Sequence, residues 1–316
     1  MDMAAIQGRL QGCYVTIPTM FHDDAGFSID FDAIHRHVGW VIEGGCTTGN
    51  AVLLAGGAAG EFSTLTFDER VAVAAAVVEA AAGRVPVAMG GQTTSTLELV
   101  RLAQAAGRVG AEYLQVSPPY YFDATEGDFY EHVLAAADAS DIGLIIYNTF
   151  WTSLGVSSGL VEKLADVPHV VGLKWATADT GMMEYEQVVS RFSGRFAIID
   201  NQMRYVNSHV LGARCFEIHQ ANYWPQWSVG LWHLLERGEY AEVQREMVRV
   251  AMPFMELITE MLRYTGGEGY LEKLCMELIG RDSSRNRPPT RDVRQIFREQ
   301  TRQMLLQTGV PGVLPA

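Results

Sequence analysis

Short apolar runs alternate with amphipathic or alanine-rich stretches eight times in the first 236 of 316 residues. The apolar runs have the length and composition of strands and lie at 13–20, 51–55, 85–89, 113–116, 142–147, 170–176, 196–199 and 215–220. The stretches that follow them have helical spacing and lie at 28–43, 66–82, 95–107, 127–140, 157–164, 183–192, 206–211 and 229–236. Eight strand-then-helix units imply parallel strands joined by crossovers, and eight such strands close into a barrel. The sequence therefore predicts an α/β fold, a (β/α)8 TIM barrel.

The alternation of predicted strands and helices ends after residue 236. Helical stretches at 241–258, 271–278 and 291–306 then follow one another without strands between them. We therefore predict a barrel with the active site over residues 1–236 and a C-terminal helical region over 237–316.

Charge and cysteine spacing exclude several classes of protein. The net charge of −13 and the pI of about 5.0 argue against nucleic acid as a partner. Neither a signal segment nor an apolar run of spanning length is present, so we expect a cytoplasmic protein without membrane contact. The four cysteines have no paired spacing, so we expect no metal site.

Lys174 lies inside the apolar run 170–176, in a chain with only three lysines against 21 arginines. Burial disfavours the charged ammonium, so its pKa falls and the free amine becomes available as a nucleophile. This position predicts a Schiff-base lysine. The alternative is a lysine at a strand end that extends its methylenes along the apolar surface to reach solvent.

Tyr147 ends the fifth predicted strand, one unit before Lys174, so the two strands are expected to be neighbours, roughly 4.8 Å apart. In these barrels the chemistry takes place at the C-terminal ends of the strands. A phenol beside an amine can carry protons during imine formation. The alternative is a buried tyrosine that anchors the strand end through its hydroxyl.

A turn made of Gly56, Gly57, Ala58, Ala59 and Gly60 follows the second strand. Its backbone N–H groups can converge on an anion such as a substrate carboxylate. The alternative is a tight turn with nothing bound.

Glu217 and His219 lie two residues apart on the eighth predicted strand, so we expect them on the same face. A glutamate facing the pocket can act as a general acid or base, or bind a cationic group of a substrate. The alternative is a structural ion pair with Arg204 or Arg214. Aromatic side chains crowd the same strand ends and suit an apolar substrate portion, although each also suits core packing; they are Phe122, Phe150, Trp151, Trp175, Tyr223 and Trp224.

Five motifs in this order and spacing resemble the dihydrodipicolinate synthase and N-acetylneuraminate lyase family of class I aldolases. They are Gly57-Ala58-Ala59-Gly60-Glu61-Phe62, Leu65-Thr66-Phe67-Asp68-Glu69-Arg70, Pro119-Tyr120-Tyr121, Tyr147-Asn148 and Gly172-Leu173-Lys174. The resemblance covers roughly residues 12 to 300.

The resemblance implies that Lys174 condenses with a 2-oxo acid, typically pyruvate, and that Tyr147 relays protons. It implies that the amides of Ala58 and Ala59 hold the carboxylate, and that Tyr121 reaches a neighbouring subunit's site in a homotetramer, a dimer of dimers. No metal or organic cofactor is implied. We add Trp175 and Asn201, at the ends of the sixth and seventh strands, as candidate substrate contacts.

Two departures from the family pattern concern the substrate. Ala58-Ala59 replaces a pair of hydroxyl residues, and each lost charge-assisted hydrogen bond costs roughly 1.5–3 kcal/mol. Thr152 stands where the synthases carry an arginine for a second substrate carboxylate. The first change argues against ordinary pyruvate binding, and the second argues against dihydrodipicolinate synthesis.

Three interpretations follow. The favoured one is a Schiff-base lyase, of aldolase or hydratase-aldolase type, that acts on a 2-oxo acid with an aromatic or apolar portion. In its mechanism Lys174 forms the imine, Tyr147 moves protons, and Glu217 assists at the far end. The second is a catalytically retired family member that binds a ligand. The third keeps the enzyme but rebuilds its site for a different 2-oxo compound, one that bears an amine.

Overall fold

A computed structural model describes residues 2–149, 154–178 and 183–315. Its eight parallel strands pair in chain order and close into a barrel, because the first strand also pairs with the eighth. The strands are β1 (Gly12–Ile17), β2 (Ala51–Ala55), β3 (Val87–Gly90), β4 (Tyr113–Val116), β5 (Gly143–Asn148), β6 (Val170–Trp175), β7 (Ala197–Asp200) and β8 (Cys215–Glu217). The predicted (β/α)8 barrel is therefore confirmed.

The α-helices surround the barrel and continue past it. They are α1 (Met3–Arg9), α2 (Phe31–Glu43), α3 (Phe67–Ala81), α4 (Thr96–Val109), α5 (Glu126–Ala137), α6 (Ser158–Leu164), α7 (Glu184–Phe192), α8 (Tyr205–Val210), α9 (Pro225–Glu236), α10 (Tyr240–Glu246), α11 (Met252–Met261), α12 (Tyr270–Leu278) and α13 (Arg294–Thr308). The predicted boundary at residue 236 coincides with the end of α9. None of the helices within the described ranges is long and apolar enough to cross a membrane.

The helix ends follow from local side chains. Thr66 accepts a hydrogen bond from the backbone N–H of Glu69, whose carboxylate accepts one from the N–H of Thr66, so α3 begins with a capping box. Two α5 residues repeat the arrangement, since Thr125 and Asp128 exchange the same pair of bonds. These bonds satisfy backbone donors that have no partner within the helix.

The bottom of the barrel is closed by α1, which the sequence reading did not include. Ile6 and Leu10 pack into an interior apolar cluster with side chains of the strands, and the hydroxyl of Tyr113 donates to the carbonyl of Ile6 at 2.8 Å. A Cβ at Gly172 would lie 2.5 Å from a methyl carbon of Leu10. Close packing of Leu10 at the bottom of the barrel therefore favours glycine at this position of β6, two residues before Lys174.

The eighth strand is shorter than predicted, and this changes how His219 is placed. It ends at Glu217, and residues His219–Asn222 form a 3₁₀ turn. The side-chain amide of Asn222 donates to the carbonyl of Thr16 at 2.9 Å. If β8 continued, a backbone N–H would donate to this carbonyl, so the side chain replaces a hydrogen bond of the sheet. His219 is therefore not on a strand face shared with Glu217, and that part of the prediction is wrong.

Other predicted elements also differ from the structure in their bounds. The first strand ends at Ile17 rather than at residue 20. The helix predicted over 241–258 is divided into α10 and α11 by a π turn at Met247–Ala251. Pro253 follows this turn, and its ring nitrogen cannot donate to the helix ladder, which explains why the regular pattern is interrupted there.

Candidate functional site

Lys174 lies on the inner face of β6 near its C-terminal end and is only 4% exposed. Its ammonium forms an ion pair with the carboxylate of Glu217 on β8. The nitrogen also lies 4.7 Å from the centre of the Tyr147 ring and 5.2 Å from that of Tyr14. The lysine therefore does not extend to solvent, and that alternative is excluded.

The pKa of Lys174 differs in direction from what the sequence suggested. Burial lowers it, but the carboxylate of Glu217 and the other acidic groups nearby more than offset burial, so the pKa is raised above 10.5. The sequence showed the apolar strand but not the counter-ion on β8. The expectation of a lowered pKa is therefore wrong for the unliganded site, where Lys174 is an ammonium.

Tyr147 faces Lys174 directly, because the two residues are register partners on β5 and β6. The prediction that their strands are neighbours in the sheet is thus confirmed. Burial raises the pKa of the Tyr147 phenol, although the ammonium of Lys174 opposes the shift. The side-chain amide of Asn201 lies 3.5 Å from its oxygen. Tyr147 is therefore a protonated phenol at neutral pH, able to donate a proton close to the lysine nitrogen.

Glu217 is fixed by contacts with two other strands, through Thr16 and Lys174, and with one helix, through Tyr205. The hydroxyl of Thr16 on β1 donates to its carboxylate at 3.0 Å, and the hydroxyl of Tyr205 on α8 donates to its backbone carbonyl. The alternative interpretation was a structural ion pair of Glu217 with Arg204 or Arg214. In the structure Arg204 pairs with Glu186 at 2.6 Å, and Arg214 lies 4.0 Å from Glu236. Glu217 instead faces the cavity and the candidate nucleophile.

His219 begins the 3₁₀ turn after β8 and forms a second buried ion pair. Its Nδ1 lies 2.5 Å from the carboxylate of Glu272 on α12, which is completely buried, and its ring stacks on Phe254. Burial lowers the pKa of His219, but the carboxylate of Glu272 outweighs burial and raises it to about 9. His219 is therefore an imidazolium at neutral pH.

Glu268 is a site residue that the sequence reading missed. It lies in the loop before α12, lines the same cavity as Lys174, and influences the charge of both Lys174 and Tyr147. Burial raises the pKa of its carboxyl, and the nearby carboxylate of Glu272 adds to the effect. A glutamate flanked by glycines, at 266–269, was the available signal, because such a loop can bring a charged side chain close to another backbone.

The turn after β2 keeps the backbone donors expected of it. In the part of the chain that the structure describes, the amide N–H groups of Ala58 and Ala59 donate no hydrogen bond to the protein. The turn is held from behind by Glu61, whose carboxylate pairs with the buried Lys273 at 2.5 Å. Its outer side touches the Glu268 loop, since a Cβ at Gly269 would lie 2.4 Å from the carbonyl oxygen of Ala59. The two loops are thus fixed against each other.

These side chains surround two adjoining cavities. A polar cavity of about 110 Å³ contains six of the predicted site residues, which are Ala58, Tyr147, Lys174, Asn201, Glu217 and His219. A more apolar chamber of about 450 Å³ lies beside it, lined in part by Phe62, Tyr120 and Leu262. Ala58, Tyr147 and Glu268 line both. No cluster of His, Cys, Asp and Glu within the described ranges has the arrangement of a metal site.

Comparison with known proteins identifies the family. A model of the dihydrodipicolinate synthetase family matches residues 9–308. The chain belongs to this family. Its members include class I aldolases and lyases, which form a Schiff base between an active-site lysine and a carbonyl substrate.

Three relatives illustrate how close the match is. A 4-hydroxy-tetrahydrodipicolinate synthase from Laribacter hongkongensis is 38% identical over 171 residues, which are 54% of this chain and 57% of that protein. The enzyme of that name from Ruegeria pomeroyi is 32% identical over 79% of this chain and 86% of its own length. The crystal structure of dihydrodipicolinate synthase from Acinetobacter baumannii in complex with pyruvate is 25% identical and superposes with a TM-score of 0.84, covering 95% of this chain and 99% of that one.

These relatives do not support one prediction. Thr152 argued against dihydrodipicolinate synthesis, whereas the curated relatives carry the name of that enzyme. Thr152 lies outside the described residues, so the structure gives no geometry for the position at which the family's arginine is expected.

The structure places Trp175 outside the candidate site. Trp175 is completely buried among the core residues outside the barrel strands, because its side chain alternates with that of Lys174 along β6. We therefore remove Trp175 from the candidate site. Tyr121 is 86% exposed, contacts Phe122 and lines neither cavity of this chain, so its role at a neighbouring subunit's site stays a prediction.

Three other aromatic side chains predicted for the pocket line neither cavity. Tyr223 is buried in the core, Trp224 packs on Trp227, and Phe122 is exposed, whereas Phe150 and Trp151 lie outside the described residues. Phe62 and Tyr120 contribute aromatic surface to the chamber, with ring centres 6.3 Å apart. The chamber is therefore formed in part by residues that the sequence did not indicate.

Proposed function

We propose that this protein is a Schiff-base-forming lyase, of aldolase or hydratase-aldolase type, acting on a 2-oxo acid. The observation that carries the proposal is the buried Lys174, paired with Glu217 and directly opposite Tyr147. A buried ion pair is weak evidence for a purely structural role, because removing two charges from water costs several kcal/mol per ion even when they pair. The position of Lys174 is better explained by a chemical role.

The reaction begins with a proton transfer from the Lys174 ammonium to the Glu217 carboxylate, which frees the amine. The amine attacks the 2-oxo carbon, Tyr147 donates a proton to the departing hydroxyl, and water leaves. The proton held by Glu217 then returns to the Tyr147 phenolate, so the resulting protonated imine again lies beside a Glu217 carboxylate. The imine then accepts electrons when a bond to the neighbouring carbon breaks. The free amides of Ala58 and Ala59 hold the substrate carboxylate.

The chamber beside the polar cavity supports a substrate with an apolar portion. Phe62, Tyr120 and Leu262 offer flat or branched apolar surface, and the chamber shares the lining residues Ala58, Tyr147 and Glu268 with the polar cavity. A carbonyl group near Lys174 and an aromatic group in the chamber would then belong to one molecule. Arylidene-pyruvates, and the aldol adducts of pyruvate with aromatic aldehydes, have this form.

Borohydride trapping tests the proposal directly. The protein is treated with pyruvate, and separately with larger 2-oxo acids, in the presence of borohydride, and its intact mass is measured. We expect one reduced adduct per chain, located on Lys174 by peptide mapping and absent from Lys174→Ala. The exposed Lys163 supplies the matched control, since Lys163→Ala should trap like the wild type. Trapping with none of the 2-oxo acids would favour the alternative of a ligand-binding family member.

Dihydrodipicolinate synthesis is the second candidate, because the curated relatives carry that activity in their names. It is tested by supplying pyruvate with aspartate semialdehyde and following formation of the cyclic product. Product at a rate comparable to that with aromatic aldehydes would favour this candidate, and its absence would restore the argument made from Thr152.

Two further predictions concern the state of the protein in the cell. We propose a homotetramer, for which the exposed Tyr121 and Phe122 are candidate contacts between subunits. Size-exclusion chromatography with light scattering measures the mass in solution. The cytoplasmic location stays a prediction, which cell fractionation would test.

A further inference from the structure

Glu268 has a position that the mechanism above does not use. Its carboxyl lies at the junction of the two cavities, together with Tyr147 and Ala58. A substrate with its carbonyl at Lys174 and its apolar group in the chamber has to pass this junction. The part of the substrate beside Glu268 is then the carbon that connects the two portions.

The Glu268 loop is fixed, while the carboxyl itself is not engaged. The side-chain amide of Asn286 donates to the backbone carbonyl of Glu268 at 2.9 Å, and Gly269 touches the carbonyl of Ala59. Across the described ranges, the carboxyl makes neither a hydrogen bond nor an ion pair with the protein. A carboxyl that lines a cavity and has no protein partner can accept a hydrogen bond from a donor on the ligand.

We propose that Glu268 is the general base for a hydroxyl group at C4 of the substrate, the carbon between the 2-oxo acid and the apolar group. This inference rests on the proposed function. In the cleavage direction, Glu268 takes the proton of the C4 hydroxyl, and the bond between C3 and C4 breaks. The electron pair of that bond moves into the protonated imine and gives the enamine of Lys174. The C4 oxygen becomes the carbonyl of an aldehyde, which occupies the apolar chamber.

The chemistry of the neighbouring groups supports this assignment. Tyr147 also lines the junction, but its phenol has a raised pKa and is a poor base at neutral pH. Burial raises the pKa of Glu268, and the carboxylates of Glu272 and Glu217 add to this, while His219 and Lys174 oppose it. A carboxyl whose pKa is raised toward the working pH exchanges protons more effectively than an ordinary one. Tyr147 then serves imine formation, and Glu268 serves bond cleavage.

The test compares Glu268→Gln with Glu256→Gln, which changes an exposed carboxyl on α11. The probe is the aldol adduct of pyruvate with benzaldehyde, and release of benzaldehyde is followed by its absorbance. Borohydride trapping with pyruvate is measured on the same samples, and thermal unfolding checks the fold. Removing a general base costs about 10²- to 10⁴-fold in rate, so we expect this loss in Glu268→Gln and none in Glu256→Gln. Trapping at Lys174 should persist in both variants.

The outcomes separate the two proposals. Wild-type cleavage rates in a folded Glu268→Gln variant would overturn the role of Glu268 and leave the Schiff-base mechanism intact. Trapping at Lys174 without cleavage of the probe by the wild type would also overturn it. Failure of trapping in the wild type would overturn the proposed function itself, whatever the Glu268 variant does.

Discussion

Replacing Glu217 by glutamine tests whether the ion pair controls the protonation of Lys174. The substitution keeps the shape of the side chain and removes its charge. Burial is the largest single influence on Lys174 and disfavours the ammonium, and Glu217 is the largest influence that opposes burial. Without the carboxylate, burial prevails. We therefore expect the pKa of Lys174 to fall below its wild-type value in Glu217→Gln.

The size of the effect follows from Coulomb's law. Two unit charges about 4 Å apart interact by about 4 kcal/mol at an effective dielectric constant of about 20. Since 1.36 kcal/mol corresponds to a tenfold change, removing the carboxylate shifts the equilibrium toward the free amine by up to roughly a thousandfold. Breaking a buried pair also costs about 3–5 kcal/mol of stability. Lys174 can reduce this cost by losing its proton, so the variant should become more stable as pH rises.

The assay is the pH dependence of reductive trapping with pyruvate and cyanoborohydride. Only the free amine reacts, so the trapping rate of the wild type should keep rising to high pH. In Glu217→Gln the rise should occur at lower pH, whereas turnover of a cleavable substrate should fall, because the imine loses its counter-ion. Thr16→Val is the matched control, since it removes the hydrogen bond to Glu217 and keeps the charge.

Superposed trapping profiles for the wild type and Glu217→Gln would refute the reasoning. They would mean that the ion pair does not set the proton affinity of Lys174. A shift of equal size in Thr16→Val would contradict it as well, because that variant retains the carboxylate. Unchanged turnover in Glu217→Gln would return the glutamate to a structural role.

Three further predictions concern other groups. In Glu272→Gln, the pKa of His219 should fall from about 9, which a proton NMR titration of the imidazole would show. The raised pKa stabilises the folded wild type below pH 6.5 and loses this effect as pH rises through 9, so the variant should lack this pH dependence in urea unfolding. Lys273→Met leaves the buried carboxylate of Glu61 without its partner and should cost about 3–5 kcal/mol in urea unfolding, whereas Lys163→Met should cost almost nothing. Tyr147→Phe should lower kcat by roughly 10²- to 10⁴-fold, and full activity in an aldehyde-release assay would exclude its role in proton transfer.

The barrel could be predicted from the sequence because its signal is repeated. Eight apolar runs alternate with helical spacing, so an error of three residues in β1 does not change the topology. Local side-chain chemistry also predicts well, as the capping box of Thr66 and Glu69 shows. The end of β8 could not be predicted, since it depends on Asn222 bonding to Thr16 on β1, far away along the chain.

In the candidate site, too, local features could be predicted and contacts between distant parts of the chain could not. Lys174 and Tyr147 could be found because strand order alone makes them neighbours. The charge state of Lys174 could not, because it depends on Glu217, which reaches it across the barrel. Trp175 was placed wrongly although its position directly after Lys174 on one strand already assigns it to the opposite face. Phe62 and Tyr120 were overlooked as chamber walls because they follow the strands in loops, whose path the strand pattern does not give.

The charges of the site also support a catalytic role for Glu268, although this residue lies in the C-terminal region rather than in the barrel. Lys174 and His219 each have a carboxylate of their own, in Glu217 and Glu272. Glu268 is left over, half-buried in a loop that touches the substrate turn, with no ion pair to a cation among the described residues. An unpaired carboxyl in such a place costs stability unless it is protonated or meets a donor. A substrate hydroxyl supplies that donor only while substrate is bound, so Glu268 adds little to folding and can contribute to the reaction. A stability of Glu268→Gln equal to or above that of the wild type, together with slow cleavage, is the combination that this argument requires.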